Sequence, residues 1–193
     1  MNERLYSSPV RKIIASLAVT ADGFIARKDG SFDFLDRPQP RGNYGMAAFV
    51  RSIDTVIWGR RTYDQALELG NSVSFGPKIK NYVFTHRPAK PCKDAEFVTE
   101  PVSKFAQRLR AARGKNIWMM GGGGIIGAFL DAGEIDEFSI HVIPVMIGEG
   151  IPLISPGRRT VPLKLISTKR FSDGVVHLNY RVLVLKDKKT KKG

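Results

Sequence analysis

Lys115-Asn116-Ile117-Trp118-Met119-Met120-Gly121-Gly122-Gly123-Gly124-Ile125-Ile126-Gly127-Ala128-Phe129-Leu130 is the stretch whose reading decides the fold. An apolar run of strand character leads into four consecutive glycines, and an apolar run of helical character without proline follows. Glycines between a strand and a helix let backbone N–H groups and a helix N-terminus approach a phosphate with no Cβ in the way. A flexible turn is the plain alternative, but a helix start does not need four glycines, and a disordered linker would not be framed by segments that read as buried. Gly122 to Gly127 also fits G-x-G-x-x-G. The dinucleotide fingerprint, however, wants an acidic residue closing the next strand, and that strand ends His141-Val142-Ile143-Pro144, so phosphate binding survives while an ordinary Rossmann site does not.

The chain is 193 residues long, enough for one domain with a real core, and its 42% hydrophobic and 25% charged residues are ordinary soluble usage. No apolar run approaches a membrane span, Met1 to Pro9 lacks the apolar core of a signal peptide, and the single Cys92 excludes an internal disulfide framework. A cytoplasmic protein is expected. Three scattered histidines and one cysteine argue against a structural zinc site, and no metal is expected. The formal charge of +13 invites a basic nucleic-acid-binding reading. Four of the lysines, however, fall between Lys188 and Gly193, and the rest of the excess is spread without interleaved aromatics, so a polyanionic small ligand explains it as well.

The organisation reads as an N-terminal extension over 1–10, one domain over 11–185 and a basic disordered tail over 186–193. Lys12 to Thr20 suits a strand buried on both faces. Residues 20–36 form a long loop pinned by Phe24-Ile25-Ala26, and Tyr44 to Ser52 has the spacing of a short amphipathic helix. Asp54 to Trp58 reads as a strand feeding Gly59-Arg60-Arg61-Thr62 and a helix to about Leu69. Strands follow at Lys80 to Thr85 and Ala95 to Thr99, then a helix over Pro101 to Ala112. Beyond the glycine run come a helix from Ile125 to Asp131, a strand from Glu134 to Ile143, an irregular apolar loop over Pro144 to Leu153, and two strands flanking Ser172-Asp173-Gly174, a hairpin signal. Strands alternating with helices and ending in a hairpin imply an α/β fold with a mostly parallel sheet and antiparallel strands at one side.

Two strand, glycine, helix junctions would both lie at the carboxyl edge of such a sheet, where ligands bind, so a ligand with two separated phosphate groups fits. Arginines at the second junction add guanidinium forks to the helix dipole, although taken alone a solvated helix start explains them better. Ser16, Ser139 and Cys92 have no nucleophile context, which weakens a hydrolase reading. A redox reaction whose cofactor supplies the hydride needs little from the protein beyond orientation.

The order of these motifs resembles the dihydrofolate reductase superfamily, and most closely its riboflavin-biosynthesis reductase branch. The resemblance spans roughly residues 11–184 and rests on Ala18 through Asp22-Gly23 to Ile25-Ala26, Gly59-Arg60-Arg61-Thr62-Tyr63, Thr85-His86-Arg87-Pro88, the glycine run, and Pro144-Val145-Met146-Ile147-Gly148-Glu149-Gly150-Ile151-Pro152-Leu153. It implies an eight-stranded, mostly parallel sheet with NADPH across its carboxyl edge and, in this branch, a homodimer. By the resemblance Leu17, Ala18 and Ile25 hold the nicotinamide. Gly59, Arg60, Arg61 and Thr62 take the 2′-phosphate and pyrophosphate, and Thr85, His86 and Arg87 lie on the adenosine side. Gly121, Gly122, Gly123, Gly124, Ile125 and Ile126 form the pyrophosphate turn, with a cis bond at Gly121-Gly122. The family's carboxylate in the first helix has no counterpart in Gly45 to Phe49, which makes folate doubtful as substrate. Asp22, Asp33 and His141 are the candidate catalytic residues, each with a bland alternative as turn former, solvated acid or core histidine. The expected activity is NADPH-dependent hydride transfer to a small heterocyclic or conjugated C=N or C=O substrate. A non-catalytic nucleotide-binding or basic nucleic-acid-binding protein is the alternative.

Overall fold

A computed structural model describes residues 10–70, 73–87 and 92–183. The tail expected over 186–193 and all but Val10 of the extension lie outside the described residues. In chain order the strands and α-helices are β1 (Ile13–Thr20), β2 (Phe24–Ala26), α1 (Met46–Arg51), β3 (Ile53–Gly59), α2 (Arg60–Glu68), β4 (Lys80–Phe84), β5 (Glu96–Val98), α3 (Val102–Ala111), β6 (Asn116–Gly121), α4 (Gly123–Asp131), β7 (Glu137–Ile143), β8 (Ile151–Pro152), β9 (Leu163–Arg170) and β10 (Val176–Val182).

Eight strands form one sheet in the order β5-β4-β3-β6-β1-β7-β10-β9. The first six are mutually parallel, and β10 runs antiparallel to both β7 and β9. Apolar β1 is therefore central, as its sequence implies, with β6 on one side and β7 on the other. One hydrophobic cluster gathers Phe105 and Leu109 of α3 with Ile126 and Phe129 of α4 against β1 and β6; another gathers Tyr63 of α2 with Trp58 and Trp118, packed by Phe49 of α1. Away from the site, the buried Arg11 guanidinium donates to the Leu109 and Lys115 carbonyls and to Asp54, tying β1 to β3 and β6. A buried guanidinium needs this many acceptors to offset lost hydration.

Three local expectations change. The loop over 20–36 contains β2, and the irregular stretch over 144–153 contains β8; the two pair as a short antiparallel ribbon, Phe24 opposite Pro152 and Ala26 opposite Ile151. Neither strand is long enough to show a period of its own. Each exists because of a partner more than a hundred residues away. Helix α4 begins at Gly123 rather than Ile125, so two of the four glycines are helical.

Candidate functional site

Along β1 every residue is buried except Leu17 and Ala18, which are half-exposed. Such a gap near the carboxyl end of the central strand marks a cleft, because a fully packed sheet would cover both residues. Leu17 packs in the cluster that also takes Ile25 and Ile125, while Ala18 packs with Phe34, Leu35 and Tyr44. The cleft therefore has two distinct sides.

On the Leu17 side the two glycine junctions meet. A Cβ on Gly59 would lie 3.2 Å from Ile125 Cγ2 and 3.3 Å from the Gly121 carbonyl, and one on Gly122 would lie 3.2 Å from Thr62 Oγ1 and 3.6 Å from Ile25 Cδ1. The starts of α2 and α4 are thus brought together, with Gly59 and Gly122 as their respective N-cap residues. Neither N-cap has a side-chain hydrogen bond, and neither first turn carries an acid. Two helix starts whose free N–H groups and positive dipole ends converge suit an anion with two phosphoryl groups. Gly124 is exposed with open space beside it, which leaves the main chain approachable. The Gly121-Gly122 peptide is cis, where the resemblance places it. Gly121 has φ +116, a conformation L residues rarely adopt. By these tests the residues present fit a pyridine dinucleotide.

The glycines also admit the roof of the cleft. The Ser155 N–H donates to the Gly123 carbonyl at 3.0 Å, and a Cβ on Gly123 would stand 2.5 Å from the Pro152 carbonyl oxygen. Ile126 is fully buried.

The cationic candidates divide. Arg60 Nε donates to both Asp64 oxygens, at 2.8 and 2.7 Å, and its guanidinium sits 5.1 Å from the centre of the Phe97 ring. Arg61, His86 and Arg87 are exposed, and among the described residues neither Arg61 nor Arg87 has an ion-pair partner. Thr85 Oγ1 accepts from the Arg87 N–H at 3.2 Å and donates to the Arg87 carbonyl at 3.0 Å, fixing the turn after β4. Strands β3 and β4 are neighbours, so these residues share one end of the cleft with Arg60.

The three catalytic candidates are not brought together. Asp22 accepts from Thr20 Oγ1 at 2.5 Å, from the Ile147 N–H at 3.0 Å and from the Gly148 N–H at 2.7 Å. The Thr20 hydroxyl and these two amides hold its carboxyl below the usual range, which suits it to fastening the turn after β1 to the 145–148 loop rather than to giving a proton. Asp33 is exposed and held bidentately by Arg27 at 2.6 and 3.0 Å, which likewise keeps it ionised. His141 stands on the Ala18 side, directly opposite Ala18 in β1 and His177 in β10. Its ring stacks on His177 with centroids 4.0 Å apart and planes 5° from parallel, and Tyr44 meets it edge-on at 5.7 Å. Burial first, and His177 second, push its pKa down to about 4, so it is neutral at physiological pH.

Tyr44, Asp173, Arg37 and His177 escape a reading of the sequence. Tyr44 Oη donates to Asp173 Oδ2 at 2.5 Å, and Arg37 donates to the Asp173 carbonyl at 2.6 Å, fastening the segment before α1 to the β9–β10 turn. Asp173 carries only a turn signal in sequence, and nothing local marks His177 as the neighbour of His141.

The chain matches the RibD C-terminal domain family over residues 11–177. It is 39% identical over 166 residues to the uncharacterized protein YwjB of Bacillus subtilis, spanning 86% of this chain and 95% of that protein. The uncharacterized protein YyaP of the same organism is 32% identical over 180 residues, spanning 88% and 94%. Among solved structures, a provisionally named riboflavin biosynthesis protein of Shewanella sp. PV-4 superposes with TM-score 0.78 at 24% identity, covering 90% of this chain and 99% of that one. The diaminohydroxyphosphoribosylaminopyrimidine deaminase/5-amino-6-(5-phosphoribosylamino)uracil reductase of Thermotoga maritima superposes with TM-score 0.68 at 16% identity, covering 90% of this chain and 57% of that one. These two likenesses establish the dihydrofolate-reductase-like fold.

Proposed function

The chain belongs to the RibD C-terminal domain family, and from that premise we propose that it is an NADPH-dependent reductase of a small heterocyclic or conjugated C=N or C=O substrate, pyrimidine- or pterin-like in shape. The observation that carries this reading is the convergence of two uncapped helix starts, at Gly59 and Gly122, beside the half-exposed Leu17 and Ala18. NADPH, when bound, supplies the hydride. The chain's own part is to hold and orient. Main chain over Gly59 to Thr62 and Gly122 to Ile125 takes the pyrophosphate, Leu17, Ala18 and Ile25 flank the nicotinamide, and Arg61 and Arg87 offer guanidinium groups to a 2′-phosphate. Arg60 joins them by giving up Asp64.

The substrate then lies on the Ala18 side. Helix α1 offers it no carboxylate, which disfavours folate and leaves smaller rings such as the pyrimidine of the Thermotoga enzyme. Among the described residues no helix is long and apolar enough to cross a membrane; a cytoplasmic location is part of the proposal. The expected homodimer finds an apolar contact in β9, all of whose residues are exposed, Leu163, Leu165 and Ile166 among them. Much of the Pro144 to Ile154 segment is spent internally on β2 and α4, though Met146 remains exposed. Sedimentation at the monomer mass of 21.4 kDa would count against the dimer.

Titrating the full chain into NADPH and following nicotinamide fluorescence tests the reading. A saturable change at roughly micromolar protein is expected, and no change up to about 1 mM would overturn it.

A further inference from the structure

Among the described residues, the non-glycine residues in the left-handed region of the backbone are Asn43 at φ +43 and Tyr44 at φ +55, and they are neighbours. Gly42 at φ +85 and Gly45 at φ +86 flank them, so four successive residues share a conformation that an ordinary chain avoids. A Cβ added to Gly42 or Gly45 would meet nothing within 4 Å, so glycine is suited there by backbone conformation and not by crowding. Asparagine tolerates such a φ because its short side chain bonds locally. A bulky tyrosine keeps it only where contacts elsewhere impose it, and such imposed strain collects at clamps and switches.

Here the contacts converge on Asp173. Tyr44 Oη donates to Asp173 Oδ2 at 2.5 Å, Arg37 donates to the Asp173 carbonyl at 2.6 Å, and Arg37 Nε lies 3.6 Å from Asp173 Oδ2. The carboxylate is aimed in turn by its own loop, Oδ1 accepting from the Val175 N–H at 3.3 Å. Within the strap the backbone bonds are local, Asn43 N–H to the Pro40 carbonyl at 3.0 Å and Gly45 N–H to the Gly42 carbonyl at 2.9 Å. What the strap holds down is the Tyr44 ring. It meets Phe171 edge-on at 5.0 Å and His141 at 5.7 Å, and it packs on the cluster that Ala18 also joins. His141 is the cross-strand neighbour of Ala18, so the ring stands beside the half-exposed point of β1. The Gly59 and Gly122 wall shares no residue with this arrangement.

We propose that Tyr44 is a gate over the Ala18 side, latched shut by Asp173, and that its ring withdraws before a substrate reaches Ala18. The inference rests on the reductase reading for what passes the gate; the latch itself does not depend on that reading. Opening exchanges the Tyr44–Asp173 bond for bonds to water and relaxes the left-handed backbone at 43 and 44. Gly42 and Gly45 take up the change, because glycine adopts either sign of φ. Strain favours the open form and the charge-assisted bond favours the closed one, which makes the segment a two-state element. Cofactor entry is independent of the gate, whereas the apparent affinity for substrate falls with the fraction of molecules that are open.

The test compares the full chain with Tyr44→Phe, which keeps the ring and loses the hydroxyl, and with Asp173→Asn, which keeps the shape and loses the charge. Gly45→Ala is the third variant: it leaves the latch atoms in place, meets no neighbour, and loads the closed backbone alone. Two rates are read at neutral pH without any substrate, amide exchange at Asn43 and Gly45 and modification of His141 by diethylpyrocarbonate. The expected result is that the two latch variants speed both by about ten- to a hundredfold, the loss of one hydrogen bond to a charged group, and that Gly45→Ala speeds both as well, with exchange in β1 and β6 unchanged. Unchanged rates in the variants overturn the proposal. So does faster exchange spread equally over β1 and β6, which reports general loosening, and so does faster exchange at 43 and 45 with His141 no more reactive, because the segment then moves without uncovering the site. NADPH affinity, measured alongside, is expected to be the same in all forms, and a loss confined to the variants overturns the separation of gate from cofactor. Failure of every form to bind NADPH strikes the reductase reading and leaves the two rates to decide the latch.

Discussion

Around Gly59 and Gly122 the cleft is walled by main chain, with helix starts, free amides and little side chain in the way. Around His141 and Tyr44 it is walled by side chains drawn from β7, β10, the turn at Asp173 and the segment before α1. The two walls differ in what a change of residue does. Main chain recognises a phosphate whatever the neighbouring side chains are, provided no Cβ intrudes, so this half depends on glycine and on close approach. The other half depends on the identity of a few rings, and on the proposed reading a change there alters the substrate while sparing the cofactor.

The sharpest way to break this contrast is at neighbouring glycines. Gly123→Ala places a Cβ against the Pro152 carbonyl oxygen at 2.5 Å, whereas Gly124→Ala meets nothing within 4 Å. Gly123→Ala should lower unfolding free energy by about 2–3 kcal/mol in a denaturant titration and loosen the roof of the cleft. Gly124→Ala, in the first turn of a helix, should leave stability unchanged or raise it by up to about 1 kcal/mol. Equal effects would show that the close approach does not matter.

Arg60→Ala combined with Arg87→Ala should weaken NADPH roughly tenfold or more, the equivalent of about 1.5–3 kcal/mol of hydrogen bonding to a charged group, and leave NADH nearly untouched. Calorimetry with both nucleotides checks this, and equal loss for both would refute the 2′-phosphate assignment. If Arg61→Ala proves the larger single effect, the Asp64 pair and the Phe97 stack hold Arg60 back from the ligand.

On the other wall, pH is the lever. The folded pKa of His141, about 4, lies below its ordinary 6.5, so the unfolded chain takes up the proton first. Its contribution to stability is fully present above about pH 6.5 and is lost as pH falls toward 4. Solvent reaches part of the ring and trims the effect to the order of 1–2 kcal/mol. Denaturant midpoints measured across that window should therefore flatten in His141→Phe. A residual slope is expected from His177, whose pKa burial also lowers.

The smallest expected effect is at Asp22. Its pKa is lowered, so what it contributes is present above the ordinary aspartate value and lost as pH falls below it. Asp22→Ala should lower Tm at neutral pH, expose the 145–148 loop to protease, and remove part of the acid limb of the stability curve. An unchanged proteolysis rate would show that the loop is held by the Ala21–Val145 backbone bond, 2.8 Å, without the carboxylate.

Much of this architecture was legible in the residues, for reasons the two walls make plain. The apolar run before Thr20 and the glycines at 59 and 121–124 carry local signals, because burial on both faces and freedom from Cβ are written into single stretches of sequence. Even the boundary error at α4 comes from the same source, since glycine is a weak helix former that packing has overruled. The ribbon of β2 and β8 was hidden because its strands are two or three residues long and pair across the chain. The His141 and His177 stack was hidden because the pairing of β7 with β10 joins residues 36 positions apart, across a connection that contains β8 and β9 and whose register no local pattern fixes. Asp33 and Asp22 look alike in sequence as loop acids, and only their partners, an exposed arginine in one case and two backbone amides in the other, separate them.

The central claim is that one extended cofactor site is assembled from residues 17–25, 59–62 and 121–126. Amide hydrogen exchange of the full chain with and without NADPH tests it most directly. The account predicts slowed exchange at the starts of α2 and α4 and across Leu17 to Ile25, with β9 unaffected. Binding accompanied by protection elsewhere and none at Gly59 to Thr62 or Gly122 to Ile125 would contradict it.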